Sequence, residues 1–316
     1  MRSLIHVIWL LAAVAAGHVA AAPLRVEKVA PGVYVHLGQH KDVERDYDGD
    51  IANIGFVIGT DAVAIIDTGG SYAIGMALKE ALRQITQLPI RYVINTHVHP
   101  DHVFGNAAFI NVNADANANK AGAQPLLIGH ARLPAAMALR GDAYLRNVTM
   151  ALGPAAEKST LVIPGQTVQA TLTIDLGHRK LELKAWPSAH TDTDLTLFDA
   201  STGTLWTGDL LFIERAPAID GDVKGWLSAI DALEKMPAVT TIPGHGPVTR
   251  DKNAALGRER DYLATLLRDV RNSIHRGEDM TATMATAAAT EKGRWQLFDV
   301  VNPRNVNLLY PVLEWE

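Results

Sequence analysis

The chain has 316 residues, a formal net charge of −5, twelve histidines and no cysteine. Without cysteine there is no disulfide and no thiol nucleophile, so stability rests on packing and any metal site must use imidazole and carboxylate. Like charges form no block, so nothing electrostatic points to nucleic acid or an anionic membrane as partner.

The N-terminus reads as a secretory signal: Arg2, an apolar run over residues 4–16, then Val19-Ala20-Ala21 as small residues before Ala22-Pro23. The run is shorter than the ~20 residues that span a bilayer, and no basic stop follows it. We therefore expect a signal peptide at 1–21, one domain over 22–316, a periplasmic or secreted location, and no membrane insertion after cleavage.

Short β-like runs follow at 25–29, 33–36, 55–58 and 63–66, separated by turns at Pro31-Gly32 and Gly59-Thr60-Asp61. Ser71 is placed to cap a helix whose Ile74, Leu78, Leu82 and Ile85 share one face and which Pro89 stops. Residues 90–95 form a buried strand running directly into Thr96-His97. Residues 111–124, rich in Asn, Ala and Asp, read as a surface insertion. Strands are expected again at 161–163, 172–175, 181–185, 195–198, 204–207 and 239–242. A helix carries Trp226, Ile230 and Leu233, and the longest helix carries Leu256, Leu263, Leu267, Val270 and Ile274 before Gly277. Residues 281–290 suit a short surface helix. No linker divides the chain, and strand, helix, strand, polar loop is the order of a layered α/β fold with its site at the strand ends.

The densest chemistry is His97-Val98-His99-Pro100-Asp101-His102, three imidazoles and a carboxylate just after a buried strand. Alternate side chains leaving a strand share one side, so His97 and His99 can hold one metal while Asp101 and His102 face a neighbouring position. Such ligands suit zinc, and also iron or manganese. His190, Asp209 and His245 each sit at an expected strand-to-loop junction beside a glycine or other small residue. Each alone could be a loop histidine, a cap or a turn residue; together with the first motif they complete a site. Two cations a few ångströms apart lower the pKa of a shared water towards ~7. Arg215 is a candidate for gripping a substrate carboxylate or phosphate. His36, His40, His130, His178 and His275 read as ordinary solvated histidines.

In this order, Asp67, Thr96-His97-Val98-His99-Pro100-Asp101-His102, His190, Asp209 and His245 resemble the metallo-β-lactamase superfamily. The resemblance implies an αββα sandwich with the site between two sheets at one edge, and two zinc ions as cofactors. His97, His99 and His190 would hold the first, Asp101, His102 and His245 the second, with Asp209 bridging. Asp101 would also accept a proton, and Asp67 would orient the His97 loop. Ala189 stands where members often have Gly, and Thr191-Asp192-Thr193-Asp194 replaces the usual Gly-Asp or Gly-Ser. Asp209 replaces the Cys or Ser of true β-lactamases, which brings the site closer to the glyoxalase II type. His99 stands where oxygen-reducing diiron relatives carry Glu. Residues 50–56, residues 103–109 and Asp220-Gly221 are similar to the exported branch called quinoprotein relay system zinc metallohydrolases.

The resulting expectation is hydrolysis of a small-molecule ester, thioester or lactone, with a quinoprotein redox partner implied by the branch. The alternatives are a β-lactam hydrolase, an iron-based thiol or persulfide oxidase, and a non-catalytic metal or quinone-partner protein of an exported redox chain. Export has a direct test: the intact mass of protein recovered from the periplasm should start near Ala22, whereas retention of residues 1–21 would exclude a cleaved signal.

Overall fold

Period-two alternation builds the layers. In strand β4, Val63–Ile66, the side chains of Ala64 and Ile66 face one core and those of Val63 and Ile65 another. A computed structural model describes residues 22–43, 45–110 and 124–316, so the expected signal segment and all of the expected insertion but Gln124 lie outside the described residues. Strand β4 belongs to a seven-stranded sheet of β1 (Glu27–Ala30), β2 (Val33–His36), β3 (Ile54–Ile58), β4, β5 (Ile90–Ile94), β6 (Leu126–His130) and β7 (Gln166–Val168), in chain order. The sheet is antiparallel from β1 to β4 and parallel from β4 to β7.

The second sheet has the order β12-β11-β10-β9-β8, built from Thr240–His245, Thr204–Phe212, Leu195–Asp199, Lys180–Ala185 and Thr171–Asp175. Its β11 and β12 run parallel; the other pairs are antiparallel. Between the sheets, Val33, Val57, Ile66 and Ile94 meet Leu183, Leu197, Trp206 and Ile242. Outside the first sheet, α1 (Tyr72–Ile85) packs Leu78 and Leu82 with Phe56, Ile65 and Val93. Outside the second, α4 (Val223–Leu233), α5 (Lys252–His275) and α7 (Phe298–Glu314) bury Trp226, Leu263, Tyr262 and Leu309 against Leu205 and Leu210. This is the expected αββα sandwich. Among the described residues no helix is long and apolar enough to cross a membrane.

Local chemistry explains most boundaries. Ser71 caps α1, its Oγ accepting from the Ile74 N–H at 3.2 Å. Three expectations need correction. Residues 161–163 form no strand: Leu161 packs beside a helix, α3 (Leu133–Leu152), and Val162 turns into the core under α1. Asp209 is not at a strand end but inside β11, which stays buried through Phe212. His36 and His130 are not solvated: each is buried, His36 bonding Asp50 and the Arg25 carbonyl and His130 the Trp186 carbonyl. Strands β6 and β7 and helices α3 and α7 were not expected. Helix α7 carries Pro303 and Pro311, residues that normally argue against a helix interior.

One core group is under strain of another kind. Glu259 on α5 is fully buried, its Oε1 accepting from the Phe212 N–H at 2.8 Å while Oε2 has no partner. Burial holds this carboxyl well above the usual range, so the folded state keeps its proton to higher pH than the unfolded chain does. Stability should therefore fall as pH rises above the unfolded carboxyl value, and Glu259→Gln should lack that component. Chemical denaturation should find the variant more stable than the parent at pH 8, with the gap closing towards pH 5. An equal gap at both pH values would mean that Glu259 is ionised in the fold.

Candidate metal centre

The seven ligand candidates come from both sheets and meet at one edge. His97 and His99 leave β5, and Asp101 and His102 lie on α2 (Pro100–Val103), a single turn started by Pro100. His190 follows β9, Asp209 lies in β11, and His245 ends β12. Gly208, at φ 53°, breaks the register between β11 and β12 and turns Asp209 towards the first sheet. Gly244 lets the strands close up: a Cβ there would lie 1.8 Å from Asp209 Oδ1.

Two groups of donor atoms result, His97, His99, His190 and Asp209 in one and Asp101, His102 and His245 in the other, each within 4.8 Å of one another. Asp209 lies between them. Its Oδ2 is 3.4 Å from His190 Nε2 and 3.2 Å from His245 Nε2, and its Oδ1 is 3.2 Å from His102 Nε2. Asp101 Oδ2 is 3.5 Å from His102 Nε2 and 3.4 Å from His245 Nε2.

Hydrogen bonding on the far side of each ring decides what faces inward. His190 Nδ1 donates to the Ala218 carbonyl and His245 Nδ1 to the Ile51 carbonyl, both at 2.7 Å. His102 Nδ1 donates to Asp67 Oδ2 at 2.8 Å, and His99 Nε2 to Asp220 Oδ2 at 2.9 Å. His97 Nδ1 meets Thr96 Oγ1 at 3.0 Å, and that hydroxyl itself donates to Asp67 at 2.7 Å. All five rings thus turn a bare nitrogen inward. His99 Nδ1 stands 3.1 Å from both His97 Nε2 and His190 Nε2. Lone pairs at that distance repel unless a cation lies between them, and His102 Nε2 and Asp209 Oδ1 are likewise buried without a hydrogen bond. The donor set therefore fits two metal ions.

Electrostatics acts differently on the individual rings: burial would lower His102 and His99, yet Asp209 beside the first and the Asp220 bond of the second raise both. Burial lowers the His190 pKa to about 3, which keeps the ring neutral as a ligand must be. Burial alone would raise Asp209, but positive charge at His245, His102 and His97, the role two cations would take over from protonated rings, holds its carboxyl well below the ordinary value. Asp67 also accepts from the Thr96 N–H at 2.8 Å, so one carboxylate fixes both the start of the His97 loop and the His102 ring.

Several supporting residues escaped the sequence reading. Asp220, noted there only as part of a motif, orients His99 and pairs with Arg140 on α3. Burial would raise Asp220, yet the His99 bond and Arg140 bring it to about 2. Asn53 donates to the carbonyls of Pro243 at 2.9 Å and Gly246 at 2.8 Å, bracing the His245 turn. Phe212 stacks on the His245 ring at 5.0 Å, and Trp226 packs edge-on to His190 at 5.1 Å. Arg215 is buried near the second group of donors, its Nη1 bonded to the Lys41 carbonyl at 3.2 Å.

The two carboxylates behind the rings give a paired expectation. Asp220→Ala should weaken metal binding at the His99 group about 10- to 100-fold, and Asp67→Ala should do the same at the His102 group. Titration of the apoprotein with zinc against a competing chelator measures both. Unchanged affinities in both variants would show that the rings are held by packing alone.

Comparison with known proteins agrees with this fold. The linear primary-alkylsulfatase of Pseudomonas sp. (strain ATCC 19151) is 24% identical over 249 residues, covering 70% of this chain and 45% of the relative. Among solved structures, the sec-alkylsulfatase Pisa1 from Pseudomonas sp. has a TM-score of 0.69 at 20% identity, over 91% of this chain and 50% of that one. A metallo-beta-lactamase from Pontibacter korlensis has a TM-score of 0.57 at 20% identity, over 76% of this chain and 99% of its own. The chain spans about half the length of the alkylsulfatases it matches. The family model for the metallo-beta-lactamase superfamily matches residues 47–245, ending on the last of the converging histidines, and the chain belongs to that superfamily.

Proposed function

We propose that the chain is a metal-dependent hydrolase acting on a small ester, thioester or lactone. The observation that carries this reading is the convergence of five bare imidazole nitrogens on Asp101 and Asp209. Two bound cations, zinc in the first instance with iron or manganese compatible with the same donors, would polarise a substrate oxygen and make a water ionise near neutral pH. The protein supplies the rest. Asp101 offers Oδ2 to its two histidines and keeps a second oxygen that can take a proton from the attacking water. Asp209 keeps negative charge between the two groups of donors, which favours an activated acyl substrate over an amide with its poorer leaving group.

The linear primary-alkylsulfatase supports a second reading, hydrolysis of alkyl sulfate esters. Export and a quinoprotein redox partner belong to the proposal through the resemblance of residues 50–56, residues 103–109 and Asp220-Gly221 to that exported branch.

A substrate panel at fixed zinc decides between these readings: thioesters, lactones, carboxylic esters, alkyl sulfates, phosphodiesters and several lactam classes. An acyl ester or lactone should be the best substrate, and His102→Ala should lower its kcat/KM about 100-fold or more. Chelation should abolish turnover and zinc restore it. Alkyl sulfates as the best substrates would establish the second reading. A lactam turned over faster than every ester would overturn both, and no turnover anywhere would favour a non-catalytic metal protein.

A further inference from the structure

Strand β11 outruns its neighbour on one side. Strand β10 pairs with it only from Thr204 to Trp206, whereas β12 follows it further, with Gly208 opposite Pro243 and Phe212 opposite His245. The Ile213 N–H donates to the His245 carbonyl at 3.0 Å, so the Phe212 N–H points the other way, to where β10 no longer reaches. Glu259 on α5 supplies the acceptor there, its Oε1 at 2.8 Å.

An acid is a costly choice for this place. Glu259 is fully buried on the face of α5 that carries Leu256, Tyr262 and Leu263, and its second oxygen has no partner. An apolar residue would avoid that cost but would leave a backbone N–H buried and unpaired. The residue so fixed touches both groups of donors. The Phe212 ring lies 5.0 Å from the His245 ring at 14°, and 5.5 Å from the His190 ring at 60°. The outward hydrogen bonds of these histidines anchor one nitrogen of each ring but leave the ring free to swing about it. His190 has Trp226 as a second aromatic wall at 5.1 Å, whereas among the described residues Phe212 is the one ring stacked on His245.

We propose that Glu259 is a positioning residue of the metal centre: by accepting from the Phe212 N–H it keeps the Phe212 ring on the face of His245 and so presets the second group of donors. The inference rests on the fit of the donors to two metal ions and on no particular substrate. Without the acceptor, the Phe212 backbone must turn to find another partner, and the turn carries its ring off His245. The loss therefore falls on the group of Asp101, His102 and His245, while Trp226 still holds His190 for the other.

The test titrates the apoprotein with cobalt(II) against a competing chelator and follows the visible absorption of the bound ion. Asp101→Asn, which alters a donor of the second group alone, identifies the step that belongs to that group. In Glu259→Leu the affinity of that step should fall about tenfold and its spectrum should shift, with the other step and the far-ultraviolet circular dichroism unchanged. Glu259→Gln keeps an acceptor oxygen and should restore both affinity and spectrum. Phe212→Leu should weaken the same step, and adding Glu259→Leu to it should weaken it no further. Equal affinities in the parent and Glu259→Leu would overturn the proposal. So would a Gln variant as weak as the Leu variant, or losses that add in the double variant. A parent that takes up no cobalt would overturn the metal centre itself, and the proposal with it.

Discussion

The site depends on a constraint of hydrogen bonding: each of its five imidazoles has its N–H committed outward, so each presents a bare nitrogen inward. A neutral imidazole has one donor and one acceptor nitrogen, and the partner of the donor decides which way the acceptor faces. The partners come from widely separated parts of the chain: Asp67 after β4, Ile51 before β3, Ala218 and Asp220 beyond β11. Two sheets must therefore be packed before the nitrogens can converge. The inter-sheet core of Ile66, Ile94, Trp206 and Ile242 ends near this edge and holds the ligand-bearing strands in register.

The layered fold and the cluster of histidines and aspartates are legible in the sequence for a chemical reason. Histidine and aspartate packed at two-residue spacing after a buried strand have few structural uses, and the order from Asp67 to His245 adds information no single position has. The supporting residues were not legible. Asp220 is 121 residues from His99, and nothing in its neighbourhood marks it as a partner. His36 and His130 resemble solvated residues in the sequence because a histidine satisfied by a distant carbonyl or carboxylate looks there like one satisfied by water. The apolar run before Asp209 is short and so suggests a strand end; the strand continues because α4 and α5 cover residues beyond it.

Helices α3 and α7 are hidden in the sequence for opposite reasons. Helix α3 buries only a few of its residues, among them Leu133, Met137 and Val148, so its periodicity is faint. Helix α7 has a clear set of buried positions at Val301, Asn305, Val306 and Leu309, but its two prolines mask them. Tertiary packing keeps this helix where local preference would break it, and Asn305 shows how: its side chain bonds the Pro217 carbonyl and the Tyr262 hydroxyl, tying the helix to the loop beyond Arg215.

The contact between Gly244 and Asp209 has a consequence for how this centre can change. With only 1.8 Å between a hypothetical Cβ and the carboxylate oxygen, the place of the central ligand is set by a missing methyl group. The prolines on either side, Pro243 and Pro247, stiffen the same turn, and Asn53 bonds it at two carbonyls. Neither a larger residue at 244 nor a longer acid at 209 has room unless β11 and β12 move apart. Moving them apart would shift His245 as well, since it lies on the strand that moves. Substitution in this chain is therefore easier in the loops that face the converging histidines and aspartates than at those residues themselves, because side chains there can be exchanged without separating strands.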